Sequence, residues 1–297
     1  MNNESKLNKV MNCLSVDVEG FVESNVESFP IREKYRDKKR ENDEIEKNVD
    51  YLLYLLSEFH VKGTFFFLGR IARDLPHLVK AAVQSGHEIA CHGYEHRRIF
   101  NMEREQFREE VRSAKNVLED TSGVRVYGFR APDFSIIESS LWALDVLREV
   151  GFVYDSSIYP TDVHDVYGLK GIETSVHELQ NGLIEIPLSS IDILGKRFPF
   201  GGGGYFRIYP LFLTKLLITR QNHLGNPCIF YIHPYEVGPE IPKIEEMPYL
   251  RKIRHYYNCN KDSRRIEKML RQFRFGTALD VLASNGFSVN TAKNICI

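Results

Sequence analysis

Seven short runs of aliphatic, β-branched and aromatic residues recur along this chain of 297 residues, separated by longer amphipathic stretches. The runs are CLSVDV (Cys13–Val18), GTFFFLG (Gly63–Gly69), HEIACH (His87–His92), RVYGFRA (Arg125–Ala131), GFVYDSS (Gly151–Ser157), LIEIPLS (Leu183–Ser189) and CIFYIHP (Cys228–Pro234). FSVNTA (Phe287–Ala292) is a weaker eighth. Between them, Ile45, Val49, Leu52, Leu53, Leu56 and Phe59 keep a helical stripe over Asn42–His60. Phe107, Val111, Ala114 and Leu118 do the same over Asn101–Asp120, and Leu141, Trp142, Leu144, Val146 and Leu147 over Ser139–Val150. Strands that alternate with helices predict a mostly parallel sheet, because each parallel return needs a crossover. The length suits an α/β barrel in one domain spanning 1–297.

The chemically versatile residues sit where such a fold concentrates its chemistry. Asp17 and Glu19 close the first run, His92 ends the third with His96 just beyond, Arg130 closes the fourth, and Asp155 lies in the fifth. His233 ends the CIFYIH run, directly before Pro234. In a parallel barrel all these carboxyl ends open on one face, so residues more than two hundred positions apart converge there. Each also has a plainer reading: Arg130 as a surface ion pair, Asp155 as a turn cap, His233 as a satisfied core histidine.

His92 and His96 straddle Gly93, which lets two imidazoles face one point. The zincin order HExxH is absent, and a bare HxxxH is weak evidence alone. A carboxylate from Asp17 or Glu19 would complete a two-histidine, one-carboxylate set suited to zinc or another divalent ion, with a position left open for water. The other carboxylate then serves as general base, and His233 protonates a leaving group. Asp155 orients that imidazole, and Arg130 holds the base ionised.

Composition excludes several classes. The formal net charge of −1 is not that of a general nucleic-acid binder. The basic run REKYRDKKR (Arg32–Arg40) is followed by acidic residues and reads as a solvated edge. Cys13, Cys91, Cys228, Cys259 and Cys296 are odd in number and form no CxxC pair, so neither a zinc ribbon nor a disulfide framework is expected. PLFLTKLLIT is broken by Lys215 and too short to span a bilayer, so no transmembrane segment is expected. The opening residues MNNESKLNKVMNCLSVDVEG hold no uninterrupted apolar core of a secretory signal, so the expected setting is cytoplasmic. FPFGGGGYFR (Phe198–Arg207) lacks the Lys-Ser/Thr of a phosphate loop. It reads either as a pocket-lining loop, with Tyr205 and Arg207 touching substrate, or as a tight turn with packed aromatics.

SVDVEG, TFFFLG, GHEIACHGYEH, GFRAPDF, YDSS and YIHP, in that order, resemble the polysaccharide deacetylase (NodB-homology) family of metal-dependent hydrolases that remove acetyl groups from sugars. FPFGGGGYFRIYP, FYIHPYEVGPEIP and RHYYN…RRIEKMLRQFRF resemble the subgroup associated with bacterial exopolysaccharide and lipopolysaccharide biosynthesis. The resemblance implies a distorted (β/α) barrel of about seven strands, with subgroup-specific elements from about 195 onward. It implies Asp17 as catalytic base, His92 and His96 as metal ligands, and Arg130 as holder of the base. It further implies His233 as general acid with Asp155 its partner, and the Asp133 backbone N–H as oxyanion donor. Three positions depart from the family pattern: Val18 separates Asp17 from Glu19, Gly93 stands for Ser or Thr, and Asp133 for an aromatic. Glu19, two residues on and so on the same strand face, replaces the missing ligand. The implied substrate is an N-acetylated sugar or saccharide precursor. A deformylase or small-molecule amidohydrolase keeps the same site, and a non-catalytic carbohydrate-binding paralogue is the alternative of another class.

Overall fold

The computed structural model describes residues 10–163, 167–259 and 262–289. Its main sheet is built from β1 (Asn12–Val18), β2 (Thr64–Phe67), β3 (Glu88–Cys91), β4 (Gly128–Phe129), β5 (Tyr154–Asp155), β6 (His177–Glu178) and β7 (Ile184–Glu185). β8 (Ser190–Ile193) and β9 (Lys196–Pro199) form a separate antiparallel hairpin, while β10 (Ile229–Ile232) and β11 (Phe275–Gly276) return to the main sheet. The strand order is β10-β1-β2-β3-β4-β5-β7-β6, with β11 also paired to β1. All pairings in it are parallel except β6 with β7. The result is a curled half-barrel, an incompletely closed form of the expected barrel.

The period-2 alternation of the strands sorts their side chains into two compartments. Leu14, Val16, Val18, Phe65, Phe67, Ile89, Cys91, Phe230 and Ile232 join the layer beneath the helices, with Val49, Leu52, Leu56, Val111 and Leu118. Cys13, Phe66, Ala90, Tyr154, Ile184, Ile229 and Tyr231 fill the barrel interior. Ser15 and Asp17 share the inward phase of β1, so the interior turns polar towards the carboxyl ends of the strands. A third cluster of Phe21, Phe29, Ile31, Tyr235, Ile244 and Met247 ties the segment after β1 to the C-terminal elements.

Helix boundaries follow their caps. The first long helix runs Lys38–Glu58 rather than from Asn42, because Asp37 caps it by accepting from the Lys39 and Arg40 N–H groups at 3.0 and 3.3 Å. The second and third run Arg104–Ser122 and Trp142–Val150, and both stop at the expected glycine.

The sequence FPFGGGGYFR is corrected from a loop to the entry of a short helix, Gly203–Ile208. A Cβ on Gly201 or Gly202 would stand 2.4 or 1.9 Å from a carbonyl oxygen of β10, and Gly202 adopts φ +135°, so glycine lets this segment lie against the strand. The proposed weak strand Phe287–Ala292 is also corrected: 287–289 carry no strand, and its remainder lies outside the described residues. Cys296 lies outside them too. Cys13, Cys91 and Cys228 form no disulfide, and burial pushes their thiols up to about 12. No helix among the described residues is long and apolar enough to cross a membrane.

Candidate metal and catalytic centre

Four strand ends bring the chemistry together. Asp17 and Glu19 follow one another on the inward phase at the end of β1, and both are buried. His92 follows β3, with its backbone N–H donating to the Phe67 carbonyl at 2.9 Å. The loop beyond is held by the helix Gly69–Asp74: the Gly69 and Arg70 N–H groups donate to the Gly93 and Tyr94 carbonyls at 2.9 and 3.1 Å. Gly93 takes φ +81°, and His96 itself takes φ +43°, an uncommon conformation for a non-glycine residue that turns its ring back to the cavity.

Glu19 Oε2 lies 3.1 Å from His92 Nε2 and 2.8 Å from His96 Nε2. One donor atom from each of the three buried residues lies within 4.8 Å of the others. His92 Nδ1 lies 2.9 Å from the Arg130 carbonyl oxygen, which can only accept, so Nδ1 carries hydrogen and Nε2 is left to bind a proton or a cation. Burial opposes ionisation of Glu19, yet His96, His233 and His92 outweigh it and hold the carboxyl well below the usual range. Burial likewise lowers His96, but Glu19 overrides it and raises the imidazole to about 10. Two imidazoles are directed at one carboxylate oxygen, and these nitrogen and oxygen donors fit a divalent ion such as zinc.

Asp17 is held from the other side. Arg130, fully buried, places Nη1 2.7 Å from Asp17 Oδ1 and donates to Ser15 Oγ at 2.7 Å. Its Nε and Nη2 donate to the Ser156 carbonyl and Oγ, at 3.1 and 3.0 Å, and the guanidinium carbon lies 4.2 Å from the centroid of the Phe66 ring. Arg130 thus sits beside Asp17, and its burial excludes a surface ion pair.

His233 stands across the cavity, its Nε2 3.4 Å from Glu19 Oε1. The carboxylate beside its Nδ1 is Glu236, at 3.2 Å, and not Asp155. The pairing of Asp155 with His233 is therefore corrected. Asp155 turns to its own loop, accepting from the Ser157 N–H and Oγ at 3.0 and 2.6 Å, and lies beside Glu185 in the sheet register. Burial raises both Asp155 and Glu185, and the neighbouring carboxyl raises Glu185 further. Burial lowers His233, but Glu236 and Glu19 raise it to about 9.

Glu236 was not singled out from the sequence, although a signal was present. Pro234 occupies the first position of the helix Pro234–Val237 and Glu236 the third, the place from which a carboxylate reaches back to the N-cap. Here it accepts from the His233 backbone N–H at 3.0 Å. Arg207 Nε donates to Glu236 Oε1 at 2.8 Å, and Arg207 Nη1 donates to the His255 carbonyl at 2.6 Å. Arg207 therefore lines the cavity while engaged with Glu236, and Tyr205 lines the cavity beside it. Burial raises Glu236, but Arg207 and His233 prevail and bring its carboxyl to about 2.

Asp133 also lines the cavity. It and Phe134 both take positive φ, +52° and +50°, held by an Arg98 Nε–Asp133 Oδ2 bond of 2.7 Å and by edge-on packing of Phe134 against Tyr159 and Tyr231. The whole cavity measures about 630 Å³.

Residues 40–154 match the family model described as polysaccharide deacetylase, and residues 156–283 match a domain of unknown function, DUF3473. The first segment contains His92, His96, Arg130 and Asp133; the second contains His233, Glu236 and Arg207. The chain is 29% identical over 124 residues to a peptidoglycan deacetylase of Helicobacter pylori, a match covering 41% of this chain and 41% of that protein. It is 30% identical over 95 residues to a peptidoglycan-N-acetylglucosamine deacetylase of Bacillus cereus, covering 32% of this chain and 34% of that one. The matched stretches thus span less than half the length of these curated relatives. A Mycobacterium smegmatis crystal structure assigned to the polysaccharide deacetylases superposes with a TM-score of 0.61 at 20% identity, covering 94% of this chain and 90% of that one, and shows the shared fold.

Proposed function

We propose that this chain is a metal-dependent carbohydrate N-deacetylase acting on N-acetylated sugars in bacterial surface polysaccharide biosynthesis. The observation that carries the reading is the convergence, in one cavity, of a cation-binding set (Glu19, His92, His96), an arginine-held carboxylate (Asp17) and a carboxylate-backed histidine (His233). The polysaccharide deacetylase match over residues 40–154, and relatives named as peptidoglycan deacetylases, support the choice of bond and substrate class.

A divalent ion, zinc in this proposal, supplies Lewis-acid polarisation of the amide carbonyl and acidifies water when bound by Glu19, His92 and His96. Asp17 takes the proton from the attacking water. Its Oδ1 is held by Arg130, which leaves Oδ2 for the transfer. His233, with Glu236 behind its Nδ1, gives a proton from Nε2 to the departing amine nitrogen. The Asp133 N–H donates to the carbonyl oxygen as negative charge develops there. Tyr205 contributes to holding the sugar.

The test is acetate release. Purified protein, its metal content measured by elemental analysis, is incubated with N-acetylated sugars and saccharide precursors. Release of acetate with exposure of an amine supports the proposal. Intact substrate across the panel, with metal bound at one equivalent, would refute it.

A further inference from the structure

The cavity changes character from its floor to its mouth. Its deepest groups, Asp17, Glu19 and Glu236, are acidic and nearly inaccessible. The outer wall instead carries Arg98, from the loop after β3, and Arg251 and His255, both on the helix Tyr249–Tyr256. The volume of about 630 Å³ exceeds the need of an acetamido group, since pockets of roughly 300–1,000 Å³ hold whole small-molecule ligands.

Arg98 is fixed and largely neutralised. Its Nε lies 2.7 Å from Asp133 Oδ2 and 3.6 Å from Glu27 Oε2, and its Nη2 donates to Ser28 Oγ at 2.7 Å. Arg130 and Arg207 also spend their charge on carboxylates, at 2.7 and 2.8 Å. Arg251 differs. Among the described residues no carboxylate lies within 4.0 Å of it; its Nη1 donates to the Ser28 carbonyl, and its guanidinium lies 5.4 Å from the Phe29 ring centroid. An arginine seated on an aromatic face and anchored through one nitrogen keeps its remaining N–H donors for a ligand, in a planar fork that matches phosphate or carboxylate oxygens. Ser28 links the two guanidinium groups, its hydroxyl accepting from Arg98 and its carbonyl from Arg251, and the hydroxyl has its own O–H to donate.

We infer that this wall is a subsite for an anionic substituent, phosphate or carboxylate, on the sugar whose acetamido group enters the floor, with Arg251 its principal contact and Arg98 and Ser28 in support. The inference rests on the deacetylase reading for the identity of the rest of the substrate. The sugar bridges the two ends, so the acidic floor meets the amide while the basic wall offsets the substituent charge.

The experiment compares N-acetylglucosamine, N-acetylglucosamine 1-phosphate and N-acetylglucosaminuronic acid on the metal-loaded wild type and on Arg251→Gln. The wild type is expected to show kcat/KM at least about tenfold higher for a charged substrate than for the neutral one. Arg251→Gln should reduce that ratio about tenfold, mainly through KM, the loss expected for one charge-assisted contact. The preferred anion separates a phosphate from a carboxylate subsite. Equal kcat/KM for all three sugars in the wild type, or an unchanged ratio in the variant, overturns the inference. Calorimetric titration of the same three compounds separates it from the deacetylase reading. Charged sugars that bind the wild type tighter than N-acetylglucosamine, and lose that advantage in Arg251→Gln, support the subsite even without acetate release; equal binding by both proteins overturns it.

Discussion

Arg130 Nη1 lies 2.7 Å from Asp17 Oδ1, across 113 residues of sequence, with the guanidinium fully buried and the carboxylate 2% exposed. Neither charge has water to fall back on. A buried pair of this kind is weak evidence of net stability, because desolvation offsets much of the attraction, but losing one partner strands the other. Its clearest consequence is positional: one carboxylate oxygen is locked, and Asp17 lines the cavity together with the three metal-set residues.

Asp17→Asn keeps the shape of the side chain and removes its basicity. Acetate release is expected to fall by about 10²–10⁴-fold, the usual contribution of a general base. Metal content, read by elemental analysis, should match the wild type. Retained turnover would contradict the assignment of the base.

The metal set makes a separate forecast. His92→Ala, His96→Ala and Glu19→Gln each remove one donor from the three-residue cluster. Each should leave less than about a tenth of the wild-type metal after dialysis, since even loss of an outer-shell partner costs about 10–100-fold in affinity. Full occupancy in Glu19→Gln would remove the glutamate from the ligand set.

Glu236 and Asp155 are set apart by paired substitutions. Glu236→Gln removes the carboxylate beside His233 Nδ1, and kcat should drop by about 10–100-fold. Asp155→Asn alters a bond network confined to Ser157 and Glu185 and should act chiefly on stability, followed by denaturant unfolding. The reverse pattern would restore Asp155 as the histidine's partner.

A pH dependence follows from His87, which packs against Phe65 at 4.7 Å and accepts from the Gly63 N–H on Nδ1 at 3.1 Å. Burial, with Lys62 nearby, pushes its imidazole down from 6.5 to about 4. The folded state therefore binds the proton less well than the unfolded state. This contribution is fully present above pH 6.5 and is lost as pH falls towards about 4, at no more than about 1.4 kcal/mol per pH unit. His87→Gln, which can still accept from Gly63, should flatten that slope. Unfolding free energies of both proteins between pH 4 and 8 give the difference, and parallel curves would refute it.

What the strand patterns specified was local and periodic. Residues two apart on a strand share a face, so Asp17 and Glu19 had to stand together, and strand carboxyl ends in a parallel sheet had to gather Arg130, His92 and His233. The long helices were readable for the same reason, apart from the start set by the Asp37 cap. The β8–β9 hairpin escaped notice because Leu194 takes the left-handed turn position, at φ +53°, usually marked by Asn or Asp. β11 escaped because two residues, Phe275 and Gly276, carry no period. Which carboxylate meets His233, and which arginine at the cavity mouth keeps its charge free, depended on side chains brought together from distant segments. Such pairings are decided by how helices and loops pack across the top of the barrel, where no repeat in the chain encodes who faces whom.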